Sequence, residues 1–305
     1  MKLTTSQWRG HASMFIADAI WGLMSPIAKI VMGAGIVTPL LMTDFRIIGA
    51  AILFWIASLF TGHEHVCAKD KLLLAGAAVL GIVTNQGCFI FGIGFTSPGE
   101  ASIITTTMPL WVMFLAAVIL REPITLKKIG GIVLGAAGAL LLVLGSAGRE
   151  VTVKGDNPVL GDLLVLAAQL SYATYLTFYK NFIKKYSVIT LMKWMFLFAS
   201  LIVLPFSLPS ILAADWGSMT SSAWMGVAYV VFLATFIGYI LIMIGQKALR
   251  PTVVGMYNYV QPVVATAAGI FLGLDTMTVS KAVAVALIFS GVYLVTISKA
   301  RVNPA

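Results

Sequence analysis

Long apolar runs separated by short polar segments make up most of this chain. Each run spans about 20 residues or more, which is the length an α-helix needs to cross the hydrocarbon core of a bilayer. The runs are continuously apolar and show no alternation of period two, so they predict helices rather than the strands of a barrel. We therefore predict an all-α membrane protein with ten transmembrane helices, at approximately 11–33, 40–61, 72–94, 98–120, 125–147, 159–180, 187–212, 221–245, 250–274 and 278–299.

The chain contains one proline-flanked stretch twice, at 98–109 and at 251–262. A shift of 153 residues superposes the punctuating positions of the two copies, which are two prolines, an acid and a glycine. These positions are Pro98, Pro109, Glu122 and Gly138 in the first copy and Pro251, Pro262, Asp275 and Gly291 in the second. Such self-similarity at a fixed period indicates an internal repeat. We predict two five-helix repeats, 1–150 and 151–305, joined by the polar segment 148–158.

The composition of the chain is that of a protein surrounded by lipid. Its 305 residues are 60% hydrophobic and 10% charged, whereas a soluble domain carries about 25% charged residues. The formal net charge of +9 could suggest a nucleic-acid partner, but the basic residues are unevenly placed. With the N-terminus inside, fourteen of them flank the spans on the inner side, and three on the outer side, namely Arg149, Lys154 and Lys281. This positive-inside bias predicts cytoplasmic termini in a bacterial inner membrane, and no nucleic-acid partner.

The same charges indicate that the two repeats cross the membrane in opposite directions. Five helices per repeat is an odd number, so the second copy must start on the other side. Lys69 and Lys71 lie between the second and third spans, and the equivalent loop of the second repeat has no basic residue. Lys184 and Lys185 lie between the sixth and seventh spans, and the equivalent loop of the first repeat has none. Inverted repeats are typical of secondary transporters, whose substrate site lies near the midplane between the halves.

Short motifs in both repeats carry a family resemblance. They are Trp21-Gly22 with Lys29 in the first span, Arg46 in the second, Leu120-Arg121-Glu122-Pro123 before the fifth, and Gly161-Asp162 with Tyr172 at the start of the second repeat. Together they resemble the drug/metabolite transporter superfamily, in its EamA-like family. The resemblance covers the whole chain and implies ten helices, a central cavity and the transport of small organic metabolites, with export of amino acids favoured. One position departs from the repeat, because Leu197 stands where the second copy would match Arg46.

The second proline of each copy falls near the middle of a predicted helix. A proline there removes the amide that would bond the carbonyl four residues earlier. For Pro109 this carbonyl belongs to Thr105, and for Pro262 it belongs to Asn258. At membrane depth such a carbonyl is tolerated where neighbouring groups bond it or where a cavity is present. We predict that both prolines bend their helices and that the two helices face each other across a substrate cavity; a purely structural kink, packed by threonine hydroxyls, is the alternative.

Amide, hydroxyl and aromatic side chains gather near the predicted mid-depth of both repeats. Such a mixture suits amphipathic solutes such as amino acids, nucleobases or aromatic metabolites. Asn85 and Gln86 are adjacent and point about 100° apart on a helix, so at most one of them is expected to meet substrate. Hydrogen bonding between helices is the alternative role for such amides. The predicted substrate-binding residues are Trp21, Asn85, Gln86, Phe89, Thr105, Thr106, Tyr172, Tyr175, Tyr239, Tyr257, Asn258 and Gln261.

Ionisable residues within the predicted spans are candidates for gating or coupling: Asp18, Lys29, Asp44, Arg46 and Glu100. Each costs about 2.5–3.5 kcal/mol at a helix centre on insertion scales, and less toward the ends. All except Asp18 lie toward the outer side, so we predict a gating or structural ion pair between one of these acids and one of these bases in one of two access states. Protons are a candidate coupling ion, through Asp18 or Glu100.

No cofactor and no metal site are predicted. The segment His63-Glu64-His65-Val66-Cys67 lies in a polar loop without a fourth ligand at a useful spacing, which favours a solvated loop. All three histidines fall at the inner edge of the membrane, so no Ser–His dyad is expected at membrane depth, and motifs of intramembrane proteases are absent. An intramembrane enzyme and a polytopic receptor or sensor are the alternatives to a transporter. The expected partners are a small-molecule substrate and the lipid bilayer, with the chain as a monomer or a weak homodimer.

Overall fold

The computed structural model describes residues 4–33, 37–95, 104–146, 158–271 and 277–298, and every regular element within these ranges is helical. The helices of the first half are α1 (Thr5–Gly33), α2 (Pro39–Ser58), α3 (Ala68–Ala78), α4 (Asn85–Phe95), α5 (Met108–Ile119) and α6 (Leu126–Ser146). Those of the second half are α7 (Pro158–Phe178), α8 (Val188–Ala213), α9 (Ser221–Ala228), α10 (Gly238–Ala248), α11 (Pro251–Tyr257), α12 (Val260–Phe271) and α13 (Val279–Thr296). The predicted all-α fold is confirmed.

Several helices begin at a short polar side chain that bonds an otherwise free backbone amide. A hydroxyl at this position accepts a hydrogen bond from an amide of the first turn and contributes about 1 kcal/mol to the helix. The capping pairs are Thr38 with Leu41 (3.2 Å), Ser187 with Thr190 (3.2 Å), Thr220 with Ala223 (3.2 Å) and Thr278 with Lys281 (3.3 Å). These caps fix where α2, α8, α9 and α13 start.

The outer surface of the bundle suits lipid. Phe114, Phe178 and Phe206 are 56%, 61% and 80% exposed, and apolar side chains in such positions are unfavourable in water. Within the described ranges, six stretches are long and apolar enough to cross a membrane: Leu40–Ser58, Ala68–Phe89, Val159–Phe178, Val188–Ala213, Ser221–Ala248 and Val279–Thr296. The chain is therefore an integral, multi-pass membrane protein.

The helices pack in a pattern that is unchanged when the two halves are exchanged. Helix α2 packs against its counterpart α8, and α6 against its counterpart α13. Helix α4 packs against α7, and the counterparts of these two, α10 and α1, also pack together. In the same way, α5 lies against α7 and α12 lies against α1. Each half thus places its opening helix against the middle helices of the other half.

Residues that are 153 positions apart meet each other in the interior. The pairs are Gln86 Nε2 with the Tyr239 hydroxyl (2.8 Å), Asn258 Nδ2 with the Thr105 carbonyl (3.4 Å), the Tyr259 hydroxyl with the Thr106 carbonyl (2.9 Å) and the Ser200 hydroxyl with the Ile47 carbonyl (3.5 Å). Two equivalent residues can touch only where the axis that relates the copies passes between them. Such contacts are expected of two copies related by a two-fold axis.

A π-helical segment interrupts the same position of each half. Val79–Thr84 joins α3 to α4, and Tyr229–Ile237 joins α9 to α10. Each segment receives a hydrogen bond from the opening helix of the other half: the Ser171 hydroxyl donates to the Leu80 carbonyl (2.8 Å), and Trp21 Nε1 donates to the Ala234 carbonyl (2.7 Å). Single π turns within helices often lie at functional sites. Here they lie beside the axis that relates the halves.

Candidate functional site

Each half contains a helix that breaks just before its second proline. In the first half, a turn at 106–107 precedes α5, and Pro109 is the second residue of that helix. In the second half, a turn at 258–259 separates α11 from α12, and Pro262 is the third residue of α12. The sequence predicted a bend within one helix, whereas the structure has two helical segments joined by a turn. Proline fits the first turn of a helix because its missing amide has no bond to lose there.

The carbonyl that Pro109 leaves open is bonded by a side chain of the other half. Asn258 Nδ2 donates to the Thr105 carbonyl at 3.4 Å, and the Tyr259 hydroxyl donates to the next carbonyl, that of Thr106, at 2.9 Å. A buried carbonyl without a partner costs about 1–3 kcal/mol. The second half therefore completes the hydrogen bonding of the break in the first half.

Gln261 links the second break to α1. Its backbone amide donates to the Asn258 carbonyl (3.4 Å), which Pro262 leaves open. Its side-chain Nε2 lies between Asn258 Oδ1 (3.0 Å) and Asp18 Oδ1 (2.8 Å). Asp18 is 2% exposed, and its Oδ2 has no hydrogen-bond partner in the part of the chain that the structure describes. A polar chain thus runs from Thr105 through both amides to a buried acid.

A second polar contact lies among aromatic rings. Gln86 donates to the Tyr239 hydroxyl, while Gln86 Oε1 is buried without a partner among the described residues. The ring of Tyr239 meets the ring of Trp21 edge-on, with centroids 5.6 Å apart, and that of Phe196 with centroids 4.9 Å apart. Gln86, Trp21 and Tyr239, predicted from three separate spans, are thus brought together.

Tyr172 and Tyr175 share a partner that sequence reasoning missed. Gln246 Nε2 donates to the Tyr172 hydroxyl (3.1 Å), and Gln246 Oε1 accepts from the Tyr175 hydroxyl (3.1 Å). Gln246 comes directly after the predicted span 221–245 and was not among the predicted site residues. The available signal was the need of two buried tyrosines for hydrogen-bond partners, since one amide offers both a donor and an acceptor.

The remaining predicted residues have other neighbours. Asn85 Nδ2 donates to the Ala168 carbonyl (3.0 Å) and so joins α4 to α7, away from the contact that its neighbour Gln86 makes. Phe89 is half-buried one turn further along α4. The Tyr257 hydroxyl is hydrogen-bonded to His11 Nδ1 (2.7 Å) near the start of α1.

Asp44 and Arg46 are the members of the predicted gating pair whose side chains the structure describes, and they do not bond each other. Arg46 Nε donates to the Thr235 hydroxyl (3.3 Å). Asp44 is 2% exposed, and neither of its carboxylate oxygens has a hydrogen-bond partner among the described residues. Glu100 lies outside the described residues, as does the side chain of Lys29. Arg46 and Asp44 are therefore separate in this arrangement.

Charged side chains gather at one end of the bundle, formed by residues 59–71, 179–187 and 247–250, which we name the polar end. Lys185 Nζ and the Tyr186 hydroxyl both donate to Asp70. The hydrogen bond to Asp70 raises the pKa of Lys185, so this lysine stays charged at neutral pH. These contacts tie the start of α3 to the loop between α7 and α8.

The loop with the two histidines also contributes to the polar end. Both carboxylate oxygens of Glu64 accept from the Ser187 backbone amide, at 3.1 and 2.9 Å, beside the start of α8. Burial alone would raise the pKa of Glu64, but hydrogen bonds from Thr190 and Ser187 outweigh it and lower the pKa. Glu64 therefore acts as an ionised cap at the start of α8.

A model of the EamA-like transporter family matches the chain twice, over residues 8–144 and over residues 159–297. The chain belongs to the EamA-like transporter family. The resemblance found in the sequence is thereby confirmed, and the two matches lie within the predicted repeats 1–150 and 151–305.

Relatives of this EamA-like protein that are named as transporters cover most of its length. The uncharacterized transporter YetK of Bacillus subtilis is 23% identical over 300 residues, which is 97% of this chain and 89% of YetK. A probable amino-acid metabolite efflux pump of Salmonella typhimurium is 27% identical over 298 residues, which is 90% of each protein. One solved crystal structure superposes with a TM-score of 0.78 at 19% identity, over 94% of this chain and 96% of that one, and supports the fold. Family and relatives together identify a membrane transporter.

Proposed function

We propose that this EamA-like protein is a secondary active transporter that exports small organic metabolites, such as amino acids, by alternating access. The observation that carries this function is the buried polar contact between equivalent residues of the two halves, at Gln86–Tyr239 and at Thr105–Asn258. A carrier that exposes one site to two sides in turn needs that site where its halves meet. The name of the Salmonella typhimurium relative supports both the substrate class and the direction.

We further propose that residues 1–150 and 151–305 are inverted repeats of five spans each, in the inner membrane of a bacterium. Helix packing that is unchanged when the halves are exchanged supports two equivalent units. The distribution of basic residues supports cytoplasmic termini. Lys71, Lys185 and Lys247 all lie at the polar end or at helix ends beside it, and basic residues are enriched on the cytoplasmic side of a membrane protein. In this orientation the polar end faces the cytoplasm.

The proposed substrate site lies along the axis, between the aromatic group of Trp21 and Tyr239 and the amides of Asn258 and Gln261. Gln86 Oε1 is a buried acceptor without a partner among the described groups, so it can receive a donor from a solute. A solute amide or ammonium group beside aromatic rings gains both a hydrogen bond and an attraction to the ring faces. These features support a small amine-bearing metabolite.

Ligand-induced stabilisation of the purified protein tests this site. A panel of amino acids and related metabolites is screened by thermal unfolding, because a ligand that binds only the folded state raises the midpoint. We expect Gln86→Ala to lose the shift that a hit produces. Asn85→Ala is the matched control, because the adjacent amide bonds the Ala168 carbonyl instead, and it should keep the shift.

Flux measurements then separate the possible classes of protein. Hits are tested for saturable counterflow in proteoliposomes, which only a carrier supports. Binding without flux would indicate a receptor, and chemical change of the solute would indicate an enzyme. Either result would contradict the proposed function.

A further inference from the structure

Two lysines beside the polar end lie over tryptophan rings rather than against carboxylates. Lys193 Nζ is 5.1 Å from the ring centroid of Trp55, and Lys71 Nζ is 4.4 Å from that of Trp194. The two rings meet edge-on, with centroids 5.6 Å apart. These four side chains, which we name the lysine–tryptophan cluster, lie where α8 packs against α2 and α3.

Lys193 is buried without an anionic partner. It is 7% exposed, and neither the ion pairs nor the hydrogen bonds found among the described residues involve its ammonium group. Lys128, another buried lysine, instead pairs with Glu122 at 2.6 Å. The face of Trp55 attracts a cation, but an ammonium group also has three N–H donors that need acceptors. The cluster therefore leaves donors of Lys193 available to a group from outside the described chain.

The acids that lie nearest in sequence to Lys71 are already bonded to other groups. Asp70, the preceding residue, accepts from Lys185. Glu64 accepts from the backbone amide of Ser187 through both carboxylate oxygens. The cluster thus carries two positive charges that no described carboxylate neutralises by direct contact.

The cluster lies where the polar end meets the lipid-facing surface. Helix α2 ends at Ser58, three residues after Trp55, and α8 begins at Val188, five residues before Lys193. At 1.5 Å per residue, the two side chains start about 4.5 and 7.5 Å inside their helix ends. Lys71 belongs to the first turn of α3. Tryptophan is enriched at this depth of a membrane protein, and long lysine side chains extend toward the headgroups there.

An exposed apolar surface continues from the cluster toward the middle of the bundle. Trp55 is exposed, and so is Ile52, which lies one turn deeper on the same face of α2. On α8, the partly exposed ring of Phe198 stacks on Trp194 with centroids 5.8 Å apart, also one turn deeper. A molecule that fits this surface therefore needs an anionic group at one end and an apolar chain below it.

The lysines of the cluster have no basic counterpart at the opposite end of the bundle. A shift of 153 residues relates Lys71 to Trp224 and Lys193 to Leu40. Helices α2 and α8 are counterparts of each other, so their packing is the same from either half. The repeat packs at its other end without these lysines, and packing alone therefore does not explain them.

We propose that the lysine–tryptophan cluster binds the headgroup of an anionic phospholipid. The phosphate oxygens accept charge-assisted hydrogen bonds from Lys71 and Lys193. The acyl chains lie along the exposed apolar surface beside Ile52 and Phe198. Basic pockets between transmembrane helices recognise anionic headgroups in this way. The site involves no transported solute, so its test is separate from that of the proposed function.

Quenching of tryptophan fluorescence by brominated lipid tests this site, because Trp55 and Trp194 are part of it. The protein is reconstituted in phosphatidylcholine vesicles that contain a small fraction of brominated phosphatidylglycerol or, in parallel, of brominated phosphatidylcholine. We expect the anionic lipid to quench more strongly at equal mole fraction, since each lysine should enrich it at the site about fivefold. Equal quenching by the two lipids would overturn the proposal.

Variants then assign the excess quenching to the cluster. Lys71→Gln combined with Lys193→Gln should remove it. Lys69→Gln combined with Lys184→Gln is the matched control, because it removes two exposed charges from the same end, and it should keep the excess. An excess that survives in the first pair, or that the control loses equally, would overturn the site. If Lys193→Gln does not fold, Lys71→Gln alone must lower the excess, and an unchanged excess would equally overturn it.

Inorganic phosphate distinguishes a lipid site from a site for a soluble anion. It is added to the vesicles at constant ionic strength, so that the screening of charges does not change. The excess quenching should persist, because the acyl chains keep the lipid headgroup at the surface. Loss of the excess would show that the cluster takes soluble phosphate, which would overturn the lipid assignment.

Discussion

The two helix breaks have the same backbone plan but contribute different chemistry to the interior. At the first break, Thr105 and Thr106 offer main-chain carbonyls to the other half. At the second break, Asn258 and Tyr259 offer side-chain donors. Each of these two carbonyls is bonded by the side chain of the residue 153 positions later. One half therefore supplies acceptors, and the other supplies the groups that bond them.

The proposed two-fold relation between the halves accounts for this difference. At the axis a residue faces its own counterpart, so identical carbonyls would place acceptor against acceptor. A carbonyl on the axis therefore needs a donor from a different group of the other copy. The copies also differ at Gln86 and Tyr239, where an amide faces a hydroxyl. At these contacts a repeated backbone thus carries polar groups that differ between its two copies.

The largest expected effect comes from breaking the symmetric packing of α6 on α13. A Cβ at Gly138 would lie 2.6 Å from the Ala284 carbonyl, and Gly291 is its counterpart in the second half, packed against Gly131. We expect Gly138→Val and Gly291→Val to lower stability by similar amounts, about 1–3 kcal/mol or more, because the helices cannot approach as closely. Thermal unfolding in detergent measures this loss.

The matched control is Gly130→Val, because a Cβ there meets nothing within 4 Å. It should leave the unfolding midpoint almost unchanged. A large loss in only one of Gly138→Val and Gly291→Val would contradict the equivalence of the two halves in this contact.

Asn258→Ala should have the next largest effect. It removes the donor to the Thr105 carbonyl and the acceptor of Gln261, and an unsatisfied buried carbonyl costs about 1–3 kcal/mol. Thr105→Ala keeps the main-chain carbonyl and should cost less. We expect the same order in substrate affinity, measured by ligand-induced thermal shifts. Equal losses, or none, would place the site elsewhere.

The repeat offset of 153 residues shows in the sequence that Gln86 and Tyr239 are equivalent positions. It does not show that their side chains are in contact. A fixed offset says which residues correspond, and it does not say where the axis runs. Proline chemistry likewise identified the open carbonyl of Thr105, because the lost amide is a local effect. Its donor, Asn258, depends on how two distant helices pack. The sequence therefore shows which residues of the two copies are equivalent and which carbonyl a proline leaves open. It does not show which side chain of another helix bonds that carbonyl.

The gating pair illustrates the opposite case. Asp44 and Arg46 are two residues apart on one helix, and such residues point in different directions. Arg46 finds the Thr235 hydroxyl on the π segment of the other half, a partner that charge matching does not suggest. Pairing of Asp44 or Glu100 with Lys29 or Arg46 in another access state stays a prediction, together with the roles of Lys29 and Glu100.

Tyr259→Phe should have a smaller effect than Asn258→Ala, and it tests the hydrogen bond from the second break to the Thr106 carbonyl. It removes only the hydroxyl that bonds the Thr106 carbonyl and keeps the ring, which packs beside Gly135. A net hydrogen bond contributes about 0.5–1.5 kcal/mol, so the loss of unfolding free energy should be of that size. Thr106→Ala, which keeps the carbonyl, is the control and should lose less. A larger loss for Thr106→Ala than for Tyr259→Phe would show that the Thr106 side chain, rather than the bond to its carbonyl, stabilises the first break.

The smallest effect is expected at the polar end, where the halves also differ. Asp70 accepts from Lys185, and the counterpart of Asp70 in the second half is the apolar Ala223, so the opposite end has no equivalent pair through that position. The Lys185 side chain is 55% exposed, and an ion pair so close to water contributes about 0–1 kcal/mol. Lys185→Ala should therefore lower the unfolding midpoint only slightly, and less in high salt, while Lys185→Arg keeps it. Asp70→Asn should cost more, because the Tyr186 hydroxyl also loses its charged acceptor. If Lys185→Ala cost as much as Asn258→Ala, the polar end rather than the axis would hold the two halves together.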